Sequence, residues 1–543
     1  NDTGVKDGLP TIATVCRENG YATGYIGKWH LEWNRDPYVP PERRQGFDYW
    51  AVRNCSHQYF NSFYCGDTPE RVPLPGYEPE AQTQLAVEYM KRHQARPFCL
   101  FLSWGPPHDP YHAPDNVMER MPPEKIRLNP NVADPRPVHR LLETDTSSLS
   151  ERHAKRRRHW RTILETDASL RENVLQGYYA ATRALDDCMG TLLEALEKLN
   201  LARDTILVFT SDHGDMAGSH RMVSKQMPYE ESISVPFLLR YPEGAARSHV
   251  TDALLRPVDV MPTLLALAGI PCPAVDGRDL APACRGEAFE RLDGALIMKL
   301  LPGGNPWLAN GVTPWRGVRT RRYTYARLLD RGPWVLFDNR EDPWQLRNLV
   351  DDPSFRKVRE RLDALTTQRM AAAGDPGTTE AIQAYRQERR KAYVAERRTK
   401  KTVFRLKSGD ELPRDRAPQI GEQPFRIEAE VQRTGDSGVI VAQGGIGSGY
   451  SLYLHEGRLR FATRYKGPLV ELESDQPLPR KRVRITAELG ADHRLLLAVD
   501  GAAAATGEAP SLIPVVPGDG LQVGADKDHP VSSYRCPNPF AGT

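Results

Sequence analysis

The sequence predicts an α/β protein in which a mostly parallel sheet is sandwiched by helices, followed by a small antiparallel subdomain and an appended all-β sandwich. Three observations predict this architecture. Apolar strand patterns alternate with helical patterns over about the first 300 residues, short strands replace them near residue 315, and helical patterns disappear after residue 402. Alternating strands and helices favour a parallel sheet that is covered on both faces.

The first elements have clear boundary signals. Residues 9–19 have an amphipathic pattern that ends at Gly20, a residue that favours helix termini, so they predict a helix. Residues 21–26 predict a short strand that leads into Gly27. Residues 98–104 (FCLFLSW) form a continuous apolar run before a Gly-Pro-Pro turn, which predicts a buried strand.

A long helix separates this strand from two more. Residues 174–199 predict the helix, because apolar residues recur at core spacing, at Leu185, Met189, Leu192, Leu193 and Leu196. Residues 205–210 (TILVFT) and 235–241 (VPFLLRY) predict two further strands of the sheet. In such sheets ligands bind beyond the carboxyl ends of the strands, which is where polar residues are expected to matter.

The rest of the chain changes character twice. Residues 315–338 predict a small antiparallel sheet, and residues 355–370 predict a helix. Short alternating segments then predict sandwich strands at residues 425–431, 438–442, 450–455, 458–464 and 483–489. The predicted organisation is a first domain over residues 1–373, with the antiparallel subdomain from about 310, a helical and charged linker over 374–401, and a β-sandwich over 402–543.

Composition excludes several classes of protein. The 543 residues are 40% hydrophobic and 26% charged, and the net charge of +3 gives no reason to expect a nucleic-acid partner. The most apolar segment, residues 258–270, contains Asp259 and Pro262, so no membrane span is predicted. Eight cysteines are too few for a disulfide scaffold, although Cys55 and Cys65 could pair in an oxidising compartment.

Polar clusters follow the first two predicted strands. Lys28 and His30 lie two residues apart, and side chains at i and i+2 of an extended backbone share one face, so both can address one ligand. His108 and Asp109 follow the strand over residues 98–104, in a loop whose conformation is fixed by prolines.

A third cluster indicates a cation site. Asp212 and His213 end the apolar strand over residues 205–210, where a carboxylate either caps the turn or binds a cation. The adjacent imidazole favours the cation. Lys225 follows thirteen residues after Asp212. Each of these residues alone is typical of an ordinary loop, and only their combination indicates a functional site.

In this order and with these spacings the segments resemble the sulfatase family, part of the alkaline phosphatase superfamily. The resemblance covers residues 1 to about 370 and is carried by LPTIATVCRENGYATGYIGKWHL, GFDYW, FLSWGPPHDP, YYAATRALDDCMGTLLEALEKL, DTILVFTSDHGDMAGSH, SKQMPYEESISVPFLLRYP and DVMPTLLALAGI. The segments GVIVAQGGIGSGYSLYLHEGRLRF and GLQVGADKDHPVSSYRCPNPFAG also look like the β-sandwich that ends a group of arylsulfatases.

The resemblance implies a cation and two sulfate-binding lysines. Asp212 and His213 would be ligands of one divalent cation, Ca²⁺ with Mg²⁺ as the alternative, although some members have Asn at the position of His213. Lys28 and Lys225 would contact the sulfate and the nucleophile. A hard cation and two mobile ammonium groups suit the oxygens of a sulfate ester.

The resemblance also implies acid–base roles for the histidines. His30 would act on the hydroxyl of the nucleophile, and His108 would contact the substrate and protonate the leaving alcohol. His220 and Asp109 are second-rank candidates that would shape the site.

The family's nucleophile has no counterpart in the sequence. That nucleophile is a Cys or Ser in a C/S-x-P-x-R motif that is oxidised to formylglycine, and no such motif is present. Because the chain starts at Asn1 without a leader, we expect it to be truncated before this motif and before an adjacent metal-binding Asp pair. The fragment is therefore expected to be inactive, and the parent protein to need a formylglycine-generating or equivalent maturation enzyme.

The predicted function is hydrolysis of a sulfate monoester on a small molecule or a glycan, with specificity expected from loops over residues 55–76 and 110–161. A periplasmic or secreted location follows from the resemblance alone. One alternative is a phosphonate or phosphate ester hydrolase of the same superfamily, although two-metal phosphatases need extra Asp and His ligands where this chain has lysines. A second alternative is a non-catalytic fragment whose β-sandwich binds glycan.

Overall fold

The computed structural model divides the chain into two compact units, Asn1–Arg389 and Arg390–Thr543. The residues it describes are 5–6, 8–32, 37–133, 151–242, 248–300, 314–396 and 402–543, except 413, 415, 446, 466, 518, 528, 529 and 537. Within these residues, no helix combines the length and the apolar character that a bilayer crossing requires.

Strands and helices alternate through the first unit. Its strands are β1 (Ala22–Trp29), β2 (Tyr49–Asn54), β3 (Phe60–Cys65), β4 (Arg71–Tyr77), β5 (Phe98–Ser103), β6 (Leu207–Thr210), β7 (Phe237–Arg240), β8 (Ala295–Lys299), β9 (Trp315–Arg319), β10 (Tyr323–Leu328) and β11 (Gly332–Asp338). The helices are α1 (Ile12–Glu18), α2 (Glu78–Arg92), α3 (Asp115–Met118), α4 (Pro130–Ala133), α5 (Glu151–Leu164), α6 (Asp167–Leu170), α7 (Gln176–Lys198), α8 (Glu230–Ile233), α9 (Pro257–Leu267), α10 (Ala281–Cys284) and α11 (Arg356–Ala372). A twelfth helix, α12 (Thr379–Glu396), lies within the range of the predicted linker.

The main sheet has the strand order β4-β3-β2-β1-β5. Strand β1 pairs in parallel with β2 and with β5, as the sequence predicts for the strands over residues 21–26 and 98–104. Strands β3 and β4 extend the sheet in antiparallel pairings. The described sheet is therefore mixed, and the predicted loop over residues 55–76 contains two strands.

Helices cover both faces of this sheet, as predicted. On one face Ile26 and Ala51 pack with Ala86 of α2 and with Leu192 and Leu196 of α7. On the other face α1 and α9 contribute a second cluster, which includes Val15, Leu265 and the partly buried Cys99 of β5. Of the predicted core positions of the long helix, Leu185, Leu192 and Leu196 are buried, as predicted, whereas Met189 and Leu193 are only partly buried.

The predicted deep burial of the strand over residues 98–104 is wrong. Strand β5 is only half-buried, and Phe101 is 37% exposed. Within the described sheet β5 pairs with β1 alone, so it is an edge strand and one side receives no cover from a neighbour. Strands β6 and β7 form as predicted but pair antiparallel in a sheet of two, where Leu238 is 64% exposed.

The end of the first unit follows the prediction closely. Strands β8 to β11 form an antiparallel sheet in the order β11-β10-β9-β8, and helix α11 packs against it. The sequence prediction found three of these strands and missed β8. Cys55 keeps a free thiol, so the possible pairing with Cys65 is not formed.

The second unit is a sandwich of two antiparallel sheets. Its strands are β12 (Glu411–Leu412), β13 (Phe425–Val431), β14 (Gly438–Gly444), β15 (Ser448–His455), β16 (Arg458–Tyr465), β17 (Leu469–Pro477), β18 (Val483–Leu489), β19 (Arg494–Val499), β20 (Ala502–Glu508) and β21 (Leu521–Val523). They form one sheet in the order β12-β21-β14-β15-β16-β17 and another in the order β13-β18-β19-β20. Fully buried residues from both sheets, such as Leu452, Phe461, Ile485 and Leu497, form the core. The predicted all-β sandwich is confirmed.

One glycine permits a close approach between β1 and its neighbour β5. Gly27 has a φ of +107°, and a Cβ atom at this position would lie 2.1 Å from the carbonyl oxygen of Ser103. Any side chain would therefore force β1 and β5 apart at the point where β5 ends, two residues before the end of β1.

We expect Gly27→Ala to destabilise the first unit by about 1–3 kcal/mol more than Gly20→Ala does, because of the added overlap with β5. Gly20 is a matched control, since its φ is +85° but a Cβ would meet nothing within 4 Å. The measurement is denaturant unfolding of both variants and the wild type. Equal losses of unfolding free energy would show that the contact with Ser103 imposes no constraint.

Candidate active site

The ends of β1 and β5 bring two predicted clusters to the same edge of the sheet. Ile26 lies opposite Leu102 and Gly27 lies opposite Ser103 in the parallel pairing. Lys28 follows directly after Gly27, and the loop over residues 105–110 starts directly after β5. The segment with Lys28 and the loop with His108 therefore begin side by side.

Lys28 interacts electrostatically with residues from several loops. It is half-buried, and burial lowers the pKa of its ammonium group. The positive charge of Lys225 lowers this pKa as well, whereas Cys55, Asp212 and Asp109 raise it. The structure thus brings together predicted residues that lie up to 197 positions apart, which is the separation of Lys28 and Lys225.

The two candidate catalytic histidines, His30 and His108, both lie near the positive charges of Lys28 and Lys225. Burial lowers the pKa of His108, the hydrogen bond with the backbone of Asp109 raises it, and Lys225 and Lys28 lower it. Partial desolvation and the positive charge of Lys28 also lower the pKa of His30. Neutral imidazoles are favoured at both positions, because each additional positive charge near the two lysines is costly.

The contacts of His108 define which ring nitrogen can exchange a proton. Its Nδ1 lies 2.8 Å from the carbonyl oxygen of Asp109 and 3.2 Å from the carboxylate Oδ1 of the same residue. A carbonyl oxygen only accepts, so Nδ1 carries the hydrogen in this contact. Nε2 is then the nitrogen that can give or take a proton.

His57 is a site residue that sequence reasoning missed. Its ring stacks on His108, with centroids 4.5 Å apart and planes 10° from parallel. Burial, Lys28 and His108 lower the pKa of His57 to about 4. The only available signal was its position in the stretch 55–76, which was predicted to control specificity. The position of His57 in this stretch does not predict that its ring contacts His108.

Asp212 and His213 form a tight turn after β6. The backbone N–H of His213 donates to Asp212 Oδ1 over 2.9 Å, and Ser211 Oγ–H donates to the His213 carbonyl oxygen over 2.8 Å. The neighbouring Gly214 is required, because a Cβ there would lie 1.9 Å from the carbonyl oxygen of Glu231. This close packing fixes the direction in which the Asp212–His213 pair points.

The Asp212–His213 pair fits part of a cation site. Asp212 Oδ2 and His213 Nε2 are 3.3 Å apart, close enough for both atoms to reach one ion, and the Asp212 side chain is 83% exposed. His213 Nδ1 lies 2.8 Å from the Gly214 carbonyl oxygen, which leaves Nε2 as the ligand atom. Across the described residues, no group of three or more His, Cys, Asp or Glu could hold a metal ion. A Ca²⁺ ion takes about six to eight oxygen ligands, so this pair would supply a minority of them.

A second missed residue, Asp215, organises the loop that leads to Lys225. Its Oδ1 accepts hydrogen bonds from the backbone N–H groups of Ala217 and Ser224 over 2.9 and 3.0 Å. Its Oδ2 accepts one from the hydroxyl of Tyr111 over 3.1 Å. The loop after β5 and the loop after β6 are therefore joined through one carboxylate. The sequence signal for Asp215 was its place in the DHGD segment.

The structure places His220 in a buried aromatic cluster. Its ring stacks on Tyr229 with centroids 4.2 Å apart, and Nε2 lies 3.4 Å from Asn131 Nδ2. At 5% exposure His220 has little contact with solvent. Asp109, the other second-rank candidate, instead lies in direct contact with His108.

Comparison with known proteins gives the family. The family model described as Sulfatase matches residues 2–270, and the one described as N-sulphoglucosamine sulphohydrolase, C-terminal, matches residues 218–371. The chain is 37% identical over 376 residues to the ulvan-active sulfatase of Formosa agariphila, covering 67% of this chain and 66% of that protein. It is 30% identical over 415 residues to the endo-4-O-sulfatase of Bacteroides thetaiotaomicron, covering 70% of this chain and 76% of that protein.

A solved structure shares the fold as well. It comes from work on the metabolism of multiple glycosaminoglycans by Bacteroides thetaiotaomicron, and it aligns with a TM-score of 0.56 and 27% identity over 71% of this chain and 81% of that one. The chain belongs to the sulfatase family, and its fold is alkaline phosphatase-like with an all-β part at the end. The resemblance and the fold class predicted from the sequence are both confirmed.

We expect the pKa of His57, near 4 in the wild type, to rise in Lys28→Met, because removal of a nearby positive charge stabilises the imidazolium. Lys198→Met is the control, since Lys198 is exposed on α7 and pairs with Glu194. NMR titration of the histidine ring protons measures both values. An unchanged His57 pKa in Lys28→Met would contradict the proximity of these two groups.

Proposed function

We propose that this protein hydrolyses sulfate monoesters on a glycan, with a formylglycine nucleophile and one divalent cation. The observation that carries the proposal is the presence of Lys28, Lys225 and His108 in one electrostatically coupled site. The names of the two relatives, an ulvan-active sulfatase and an endo-4-O-sulfatase, support a carbohydrate substrate.

The two lysines suit an anionic ester. Each is half-buried, and the charge of Lys225 lowers the pKa of Lys28. Two ammonium groups that repel each other are stabilised when an oxyanion lies between them. A bound sulfate group would therefore offset the repulsion between Lys28 and Lys225. Point charges on flexible stems can also follow the oxygens as charge redistributes during displacement.

His108 is proposed as the general acid. Because Asp109 holds Nδ1, the proton on Nε2 of the imidazolium can pass to the departing alcohol oxygen. A lowered pKa makes this imidazolium a stronger acid, and a bound sulfate restores part of its protonation. His30 is proposed to exchange a proton with the hydroxyl of the nucleophile.

Asp212 and His213 would hold the cation. When bound, the ion polarises the sulfate oxygens and stabilises the charge that develops on them. The carboxylate is the better ligand for Ca²⁺, which prefers oxygen. Tyr25 supports this region, since its hydroxyl donates to the Lys28 carbonyl oxygen over 3.0 Å, and burial together with the charge of Asp212 raises the Tyr25 pKa to about 12.

We expect His108→Ala in the formylglycine-bearing enzyme to lower kcat roughly 10²- to 10⁴-fold for esters with poor leaving groups. Esters of acidic phenols should be slowed much less, because their oxygen departs without a proton. The measurement is kcat for a series of aryl sulfates of graded phenol pKa.

His455→Ala is the control, because His455 is exposed on a strand of the second unit. Equal slowing across the series would remove the general-acid role from His108. The same assay with aryl phosphonate monoesters tests the alternative function, since a kcat/KM higher for phosphonate than for sulfate would replace the proposal.

We expect added Ca²⁺ to stabilise the wild type and to stabilise Asp212→Asn far less. At a free concentration of about 100 Kd, a ligand that binds only the folded state adds about 2.7 kcal/mol. The readout is the calcium-dependent shift in Tm, which needs no turnover. Asp187→Asn, on the exposed face of α7 beside Arg183, should keep the full shift. An Asp212→Asn shift equal to the wild-type shift would assign the ion elsewhere.

A further inference from the structure

The strand next to Lys28 carries a second cation. In the parallel pairing of β1 with β2, Arg53 is the partner of Lys28. Paired residues on neighbouring strands direct their side chains to the same face, so Arg53 and Lys28 lie on the same face at the same end of the sheet. Cations therefore extend beyond the proposed sulfate site toward β2.

Arg53 and Arg71 pack around one aromatic ring. The guanidinium carbon of Arg53 lies 4.1 Å from the centroid of Phe63, and that of Arg71 lies 4.8 Å from it. Stacking on a ring holds a guanidinium in a fixed orientation with its N–H groups available at the edge. Burial and the charge of Arg71 both lower the pKa of Arg53, whereas Glu78 raises it.

The two guanidinium groups are short of counter-charge. Arg53 Nη1 donates to Ser62 Oγ over 3.0 Å and to Gln58 Oε1 over 3.2 Å, and both of these partners are neutral. Among the described residues, neither Arg53 nor Arg71 forms a salt bridge with a carboxylate, whereas Arg44 pairs with Asp67 and Arg17 with Asp48.

Glu78 is the carboxylate that interacts with Arg53 at longer range. It is 3% exposed and accepts a hydrogen bond from Ser62 Oγ over 2.9 Å. The positive charge of Lys28 lowers the pKa of Glu78. Burial raises the pKa of Glu78, which weakens its ability to balance the two arginines. The buried Glu78 therefore leaves room for an anionic ligand from solvent to balance the charge of Arg53 and Arg71.

A series of contacts links this pair to the loop over residues 105–110, which carries His108. Gln58, which accepts the hydrogen bond from Arg53, directly follows His57, and His57 stacks on His108. Arg53 is half-buried and Arg71 is exposed, so the two arginines extend from the strand next to Lys28 toward solvent.

We propose that Arg53 and Arg71, held by Phe63, bind a second oxyanion of the substrate, a carboxylate or a sulfate on the sugar next to the one that bears the reacting sulfate. The proposal rests on the proposed function, because it extends the same site. The substrate class is then an anionic oligosaccharide with at least two charged groups, rather than a simple sulfate ester.

The test is calorimetric binding of three probes to Arg53→Gln/Arg71→Gln. The probes are a chondroitin 4-sulfate tetrasaccharide, its carboxyl-reduced form, and N-acetylgalactosamine 4-sulfate, which has one charged group. The double variant should bind the tetrasaccharide roughly tenfold or more weakly, since charge-assisted hydrogen bonds are lost, and should bind the monosaccharide as the wild type does. If the loss persists with the carboxyl-reduced form, the second oxyanion is a sulfate; if it disappears, the group is a carboxylate.

The controls separate this inference from the proposed function. Arg92→Gln should change nothing, because Arg92 packs over Tyr49 at the opposite end of β2. Arg71→Gln alone, at an exposed position, should give part of the effect and guards against misfolding of the double variant. Lys28→Met should weaken all three probes.

The results distinguish failure of the arginine subsite from failure of the proposed sulfate site. If the double variant binds the tetrasaccharide like the wild type, or loses the monosaccharide equally, the second subsite is refuted. If Lys28→Met leaves every affinity unchanged while the double variant loses the tetrasaccharide, the proposed sulfate site fails and the arginine subsite stands. Failure of the wild type to bind any probe would reject both.

Discussion

The contact between β1 and β5 at Gly27 and Ser103 is the constraint on which the site depends. Because a glycine lets the two backbones meet there, Lys28 and the loop over residues 105–110 start side by side. The remaining groups are then positioned by loops. Asp215 joins two of these loops through its hydrogen bonds with backbone N–H groups and with Tyr111, which explains how a charged site can be held in place without regular secondary structure.

The positive charges in the site lower the pKa values of its own lysine and histidine side chains. Burial and mutual repulsion lower the pKa of Lys28, His30, His57 and His108, so protonation of these four groups is disfavoured. An oxyanion bound among these groups would raise each of these pKa values. In the proposed function, substrate binding would therefore be coupled to proton uptake, and the proposed general acid His108 would be charged mainly when substrate is present.

Positively charged side chains continue from the proposed sulfate site to the proposed specificity subsite. Arg53 lies on the strand next to that of Lys28, so one sheet presents both a residue of the proposed sulfate site and one of the arginines proposed to select the neighbouring sugar. Phe63 and Gln58 hold these groups through stacking and hydrogen bonding rather than through an ion pair. A surface preorganised in this way suits a polyanionic chain better than a small neutral aglycone.

The sequence by itself determined the elements whose patterns are local. Apolar patterns predicted β1, β5, β6 and α7, and alternation predicted the β-sandwich. Three polar clusters after strands, together with Lys225, predicted the candidate site and the family. Only the tertiary structure decided that β5 is an edge strand, that β3 and β4 extend the sheet, that His57 stacks on His108 and that Asp215 joins two loops. These features depend on pairings between residues far apart in the chain, and no local pattern specifies which distant partner a side chain or strand will meet.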